Sequence, residues 1–451
     1  MKIAPRALSA LLIFLVTLII YVKSQVTSGG DTIWSLYVAM SIVQEGDADL
    51  DEYAHLLPSG DYRVERIGNH IYSTFPIGAP LVAAPFVLAI DHLFPFVDQA
   101  SFSAYLSQHQ PDHAIFEVEK VIASLITATN AVIVFAIALR FISLARSVVL
   151  AFVFALATSA WSTASRGLWQ QGPSMLALSI ALYLIILSSD RPRFAQFTAI
   201  PLAFAFVIRP TNIIPVLVLS IYILLILNRY LIKYLFWLSL FVLPFVVYNY
   251  AVYDAALPPY YMPERLGNNP AFLEALVGNL VSPSRGLVVF SPILVVSLYG
   301  IALKLRRADW RLVDAYLVVI MVLHWISISM FRHWYGGWSI GPRFFSDVLP
   351  FFAYFLIPVG DRLPNLTERW DAKPLVFWLL LAVSIFIHFR CSTDWAPYAW
   401  NSIPNNIDNN RHRLWDWADI QFLRGLCPEP LYQAPKCWLE TVPKDAGDVY
   451  R

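Results

Sequence analysis

Six short stretches of this chain carry side chains able to do chemistry, and they lie at the ends of long apolar runs. They are Gly29-Gly30-Asp31, Lys120, Ser165-Arg166-Gly167-Leu168-Trp169, Arg209-Pro210-Thr211-Asn212, Ser282-Pro283-Ser284-Arg285-Gly286 and Tyr335-Gly336-Gly337-Trp338-Ser339-Ile340-Gly341-Pro342-Arg343. Several cations facing a carboxylate suit an anionic substrate, because guanidinium forks match phosphate oxygens in pairs and an ammonium adds a point charge. At the ends of apolar runs such a substrate would be lipid-borne.

Each of these residues also has a structural reading. Asp31 would cap a helix over Thr32 to Gln44. The arginines would snorkel to lipid headgroups, and Tyr335 and Trp338 would be membrane-belt aromatics. The acids Glu45, Asp47, Asp49, Asp51 and Glu52 read as a solvated turn. His70, His324 and His333 are too scattered for a ligand set, and His324, inside an apolar run, reads as a hydrogen-bonded bundle residue. Three cysteines and no C-x-x-C or H-E-x-x-H spacing exclude a structural zinc or disulfide framework.

The elements that hold these stretches are helices in a membrane. The 451 residues are 58% hydrophobic and 14% charged, against roughly 45–50% and about 25% in soluble domains, so the expected class is an all-α polytopic membrane protein. A net charge of +1 offers no field for nucleic acid. The run 7–22 reads as a first spanning helix, since Lys23-Ser24-Gln25 offers no small-residue cleavage site. Ten further runs, 121–139, 148–165, 172–188, 197–208, 212–228, 235–252, 286–303, 312–330, 344–360 and 374–389, bring the expectation to eleven transmembrane helices. Two of them, 197–208 and 212–228, are short for a hydrocarbon core of roughly 30 Å, which places the Arg209 hairpin below the surface, in a cavity.

Orientation turns on the stretch 75–97. If it does not span, segments 1–6, 140–147, 189–196, 229–234, 304–311 and 361–373 hold 15 of the 32 Lys and Arg in 49 residues, and the other 17 spread over about 215 outer residues. That asymmetry places the N-terminus in the cytoplasm and the C-terminus in the periplasm of a bacterial-type inner membrane. Pro76, Pro80, Pro85, Asp91 and Pro95 agree, and 75–97 reads as an interfacial helix pair on the outer leaflet. The layout is then a transmembrane domain over 1–390, with a first periplasmic loop over 23–120 that carries thirteen acids, and a periplasmic tail over 391–451. In that oxidising compartment Cys427 and Cys437 are expected to pair, leaving Cys391 free; the alternative is two thiols packed against Trp438 and Leu426.

One helix, an outer loop opening Gly30-Asp31-Thr32, interfacial helices, Lys120 at the outer start of the next helix, and Arg motifs at outer helix ends form an ordered set that resembles GT-C fold glycosyltransferases. Protein O-mannosyltransferases and aminoarabinose transferases are among them. Phe75-Pro76-Ile77-Gly78-Ala79-Pro80-Leu81 looks like the interfacial-helix motif, and Tyr335 to Arg343 looks like a motif of bacterial, largely uncharacterised members. The resemblance implies transfer of a sugar from a polyprenyl-phosphate donor to a hydroxyl of a glycan, lipid or protein acceptor at the periplasmic face, with inversion expected because displacement is direct and uses one base. Asp31 stands where the family places its catalytic acid residue. Lys120, Arg209 and Arg343, with Arg285 and Arg166 behind them, are the candidate donor-phosphate ligands, and Tyr335 and Trp338 the candidate sugar-stacking residues. No metal ligands are assigned: a D-x-D motif beside Asp31 is missing, which departs from the metal-dependent branches and leaves a divalent ion open. The tail matches only the uncharacterised relatives and brings no function. A membrane transporter, or a non-catalytic subunit of an envelope glycan assembly system, is the alternative; no inverted repeat of broken helices is visible in the sequence.

Overall fold

The computed structural model describes residues 5–96, 100–262, 269–307, 309–362 and 372–426. Among them, seven helices are long and apolar enough to cross a membrane: Pro5–Lys23, His113–Ala138, Gln171–Ser188, Asn228–Tyr253, Leu312–Ser329, Arg343–Gly360 and Leu375–Thr393. The chain is thus an all-α polytopic membrane protein, and these seven coincide with seven of the eleven expected runs.

The other four runs form shorter or broken helices, for local reasons. Leu144–Leu156 stops after 13 residues, and a wide turn over Ala160–Ala164 follows it. Pro210 splits the hairpin into Pro192–Ile208 and Pro210–Ile226. Pro292, which lacks an N–H and clashes with the preceding turn, divides 286–303 into Leu287–Phe290, Pro292–Leu294 and Val295–Arg306.

Burial ranks the helices. Arg343–Gly360 is 94% buried and forms the centre, while Pro5–Lys23 and Asn228–Tyr253, at 17% and 11%, stand at the rim and leave their apolar side chains outward, as lipid permits. The central helix packs against Val295–Arg306, Leu144–Leu156 and Gln171–Ser188. Gly300 makes the first of these contacts possible, because a Cβ there would overlap the Phe355 carbonyl. The two ends of this centre differ in chemistry. Arg140, Lys304, Arg307 and Arg311 share a cavity of about 310 Å³ with Asp309 and Asp361 at one end, so three of the six Lys/Arg-rich segments meet there. Ser327, Ile328, Arg343 and Phe344 line a different cavity at the opposite ends of Leu312–Ser329 and Arg343–Gly360.

Residues 23–120 differ from expectation in three ways. The stretch 75–97 is not a pair of helices: its described part holds one, Gly78–Leu93, whose partner is Ser35–Gln44. A β-hairpin absent from the sequence reading precedes it, with Val64–Ile67 antiparallel to His70–Ser73 and Val64 opposite Ser73. Gly68, at φ +62°, turns it. The acidic run is not simply solvated either. Asp49 is buried and accepts from the Asp51 amide at 3.1 Å, while Asp51 accepts from the Ile71 amide at 2.9 Å, so the acids fasten this turn to the hairpin.

The described part of the tail folds back in short turns over the helix ends that carry Ser282 and the 335–343 loop, where Ser282 donates to the Leu414 carbonyl at 2.6 Å and Trp400 is fully buried. Cys391 is a buried free thiol. The expected Cys427–Cys437 pair lies outside the described residues.

Candidate functional site

After the first helix the chain runs through 24–30 and is pinned at several points. The Ser28 amide donates to the Arg166 carbonyl at 2.9 Å, and the Val26 amide to the Ser392 carbonyl at 3.1 Å. Gly30 then turns at φ +124° beneath Trp169, where a Cβ would stand 3.2 Å from the ring. This geometry delivers Asp31. It is not a helix cap, because the helix begins at Ser35 with Trp34 before it. Its carboxylate instead accepts from Tyr62 Oη at 2.9 Å and from Arg343 Nη2 at 3.2 Å.

The five cations named from sequence divide into two groups. Arg166 is fully buried and donates to the carbonyls of Tyr21, Ser24 and Val26, and Lys120 donates to the same Ser24 carbonyl at 3.2 Å while pairing with Glu117. Together they clamp the segment that carries Asp31. Arg285, also fully buried, does the same for the glycine-rich loop, donating to the carbonyls of Tyr335 at 2.6 Å and Gly337 at 3.0 Å and to Asn401 and Gln421 of the tail. None of these three lines the cavities that Asp31 reaches.

Arg209 and Arg343 do line the inner one, a narrow space of about 40 Å³ shared with Asp31, Gln170, Tyr260 and Tyr261. Phe344 lies between them, its ring centroid 5.2 Å from the Arg209 guanidinium carbon and 5.1 Å from that of Arg343, which also stacks 4.2 Å over Trp169. Arg209 pairs with Asp347, itself fully buried. Among the described residues the Nε atoms of both arginines and Thr211 Oγ1 are buried without hydrogen-bond partners, as is Asp347 Oδ1. Two unmet guanidinium N–H donors at depth beside a cavity are groups that the oxygens of an anion would meet.

An outer groove of about 640 Å³ adjoins this cavity and shares Asp31, Trp169, Tyr260, Phe331, Arg343 and Phe344 with it. Trp338 lines the groove and donates to Asn406 Oδ1 at 3.1 Å. Tyr335 is buried behind it, donating to Asp408 Oδ1 at 2.9 Å.

Three participants went unnamed in the sequence reading, and a fourth, Trp169, was named only within the Arg166 stretch and given no role. Asp347 was detectable as an acid inside an apolar run. Glu119, buried, accepts from Thr32 at 2.8 Å and ties the Asp31 turn to the Leu168 amide; beside the more conspicuous Lys120 it gave no separate signal. Tyr62 reaches Asp31, and Trp169 comes to line the same cavity, only through tertiary folding. A set of metal-type donors among the described residues, Asp49, Asp51 and His70, lines neither cavity, and His70 Nδ1 lies 2.7 Å from Asp51 and 3.3 Å from Asp49. His324 Nε2 donates to the Phe344 carbonyl at 2.8 Å, as a bundle residue would. No family model, curated protein or solved structure matches this chain.

Proposed function

We propose that this chain is a membrane glycosyltransferase of GT-C type that moves a sugar from a polyprenyl-phosphate donor to an acceptor hydroxyl at the periplasmic face. The observation that carries the reading is the juncture of groove and cavity, where Asp31 meets Arg343 and Arg209 lies deeper with a free Nε. In this reaction Asp31 accepts the proton of the acceptor hydroxyl as its oxygen attacks the anomeric carbon. The bond to the phosphate oxygen breaks, and Arg343 and Arg209 hold the charge of the polyprenyl phosphate that leaves. Displacement by one base inverts the anomeric centre. Lys120, Arg166 and Arg285 position the loops that bear these groups.

The membrane arrangement belongs to the same proposal: eleven crossings, N-terminus cytoplasmic, C-terminus periplasmic, in a bacterial-type inner membrane. It is supported by the meeting of Lys/Arg-rich segments at the end of the bundle opposite Asp31.

The test is transfer of radiolabelled sugar from polyprenyl-phosphate donors in membranes containing the chain. Asp31→Asn keeps the volume and removes the proton acceptor, so transfer should fall by about 10²–10⁴ with the protein still folded. Unchanged transfer by this variant, or no transfer by the parent with any such donor, defeats the reading.

A further inference from the structure

We infer that the acceptor is a neutral carbohydrate chain, seated in the outer groove between the glycine-rich loop and the tail. This rests on the transferase reading and names the substrate class of the same site. The groove's volume, about 640 Å³, lies within the roughly 300–1,000 Å³ of sites that enclose a small organic ligand. Its wall composition is selective. Seven lining residues are Phe, Tyr or Trp, and none is Leu, Ile, Val or Met. An acyl chain packs best on aliphatic walls, whereas the C–H edges of a pyranose ring are weakly positive and suit the negative face of an aromatic ring.

The polar groups match hydroxyls. Asn406 spends Oδ1 on Trp338 and on the Asp408 amide, and among the described residues its Nδ2 has no partner. Asp408, exposed, uses Oδ1 for Tyr335 and keeps Oδ2. An amide donor and a carboxylate acceptor two residues apart can bond neighbouring hydroxyls, each of which both donates and accepts. Charge points the same way: the cation Arg343 is paired with Asp31, and burial, followed by the nearby Arg411, pushes His333 below its usual value. A peptide bound by strand addition would need a free strand edge. No residue of the Val64–Ile67/His70–Ser73 hairpin lines the groove.

The tail is therefore part of the acceptor site. Arg285 fixes it there by joining the Tyr335 and Gly337 carbonyls to Asn401 and Gln421.

The experiment titrates the full chain in lipid nanodiscs, which avoid sugar-headed detergents, and follows tryptophan fluorescence. The probes are neutral hexasaccharides of glucose, mannose and N-acetylglucosamine, and a Ser/Thr-rich decapeptide. Saturable binding of at least one saccharide and not of the peptide is expected, weakened about tenfold or more in Trp338→Ala and in Asn406→Ala. Asp408→Ala, at an exposed position, replaces Trp338→Ala if that variant fails to fold. Binding of no saccharide, binding of the peptide alone, or saccharide binding indifferent to these substitutions overturns the inference. Saccharide binding without any sugar transfer would leave it standing and defeat the transferase reading. Transfer onto the peptide would do the reverse.

Discussion

Arg343 Nη2 donates to Asp31 Oδ2 at 3.2 Å across 312 residues of sequence, which closes the first outer loop onto the central helix of the bundle. The guanidinium carbon stands 4.2 Å over the Trp169 ring while Nη2 reaches the carboxylate. A planar fork can serve both partners at once, and an ammonium cannot.

Arg343→Lys should therefore keep the charge and lose the geometry. Sugar transfer is expected to fall about tenfold or more, a loss of about 1.4 kcal/mol of transition-state stabilisation, with circular dichroism unchanged. Full turnover in the lysine variant would show that only charge matters at this position.

Arg209 and Asp347 are both buried and paired, so removing either strands the other in an apolar setting. Arg209→Met or Asp347→Leu alone should cost about 3–5 kcal/mol, and the double variant should recover much of it. Thermal unfolding in nanodiscs measures this; a double variant no more stable than the worse single one would contradict it.

In the outer loop, Asp61 accepts from Arg63 Nε at 2.6 Å and from Trp34 Nε1 at 2.9 Å. Burial pushes its carboxyl up, but the bonds from Arg63 and Trp34 outweigh it and hold the carboxyl below its usual value. A depressed folded value stabilises the loop fully above the unfolded value of about 3.9, and that stabilisation is lost as pH falls through the folded value. Acid titration of Trp34 fluorescence should show a transition below about pH 3.9 that Asp61→Asn abolishes. An unaltered transition in that variant would assign it to another acid.

A periplasm-specific reporter fused after Arg451 should be active, and a cytoplasmic reporter at the same place silent. The reverse pattern would overturn the orientation proposed from the Lys and Arg distribution.

Hydropathy and charge are local sums, and so the sequence by itself determined the membrane class, eleven apolar runs of which seven are the long helices, and the clustering of unusual residues at helix ends. Asp31 was singled out by the family resemblance, as an acid after two glycines in the loop following the first apolar run. The roles of the arginines were not legible. Arg209 was placed at depth, and Arg209 and Arg343 stood ahead of Arg285 and Arg166, but all four were read as donor-phosphate ligands, and only tertiary structure separates those that clamp loops from those that line a cavity. Arg166 meets carbonyls more than 140 residues away and Arg285 meets Gln421 at a separation of 136, whereas Arg209 and Arg343 keep unmet donors beside a cavity. The hairpin over 64–73 and the tail's share of the groove were hidden likewise, because pairing and enclosure depend on which distant surfaces meet and leave no period in the chain.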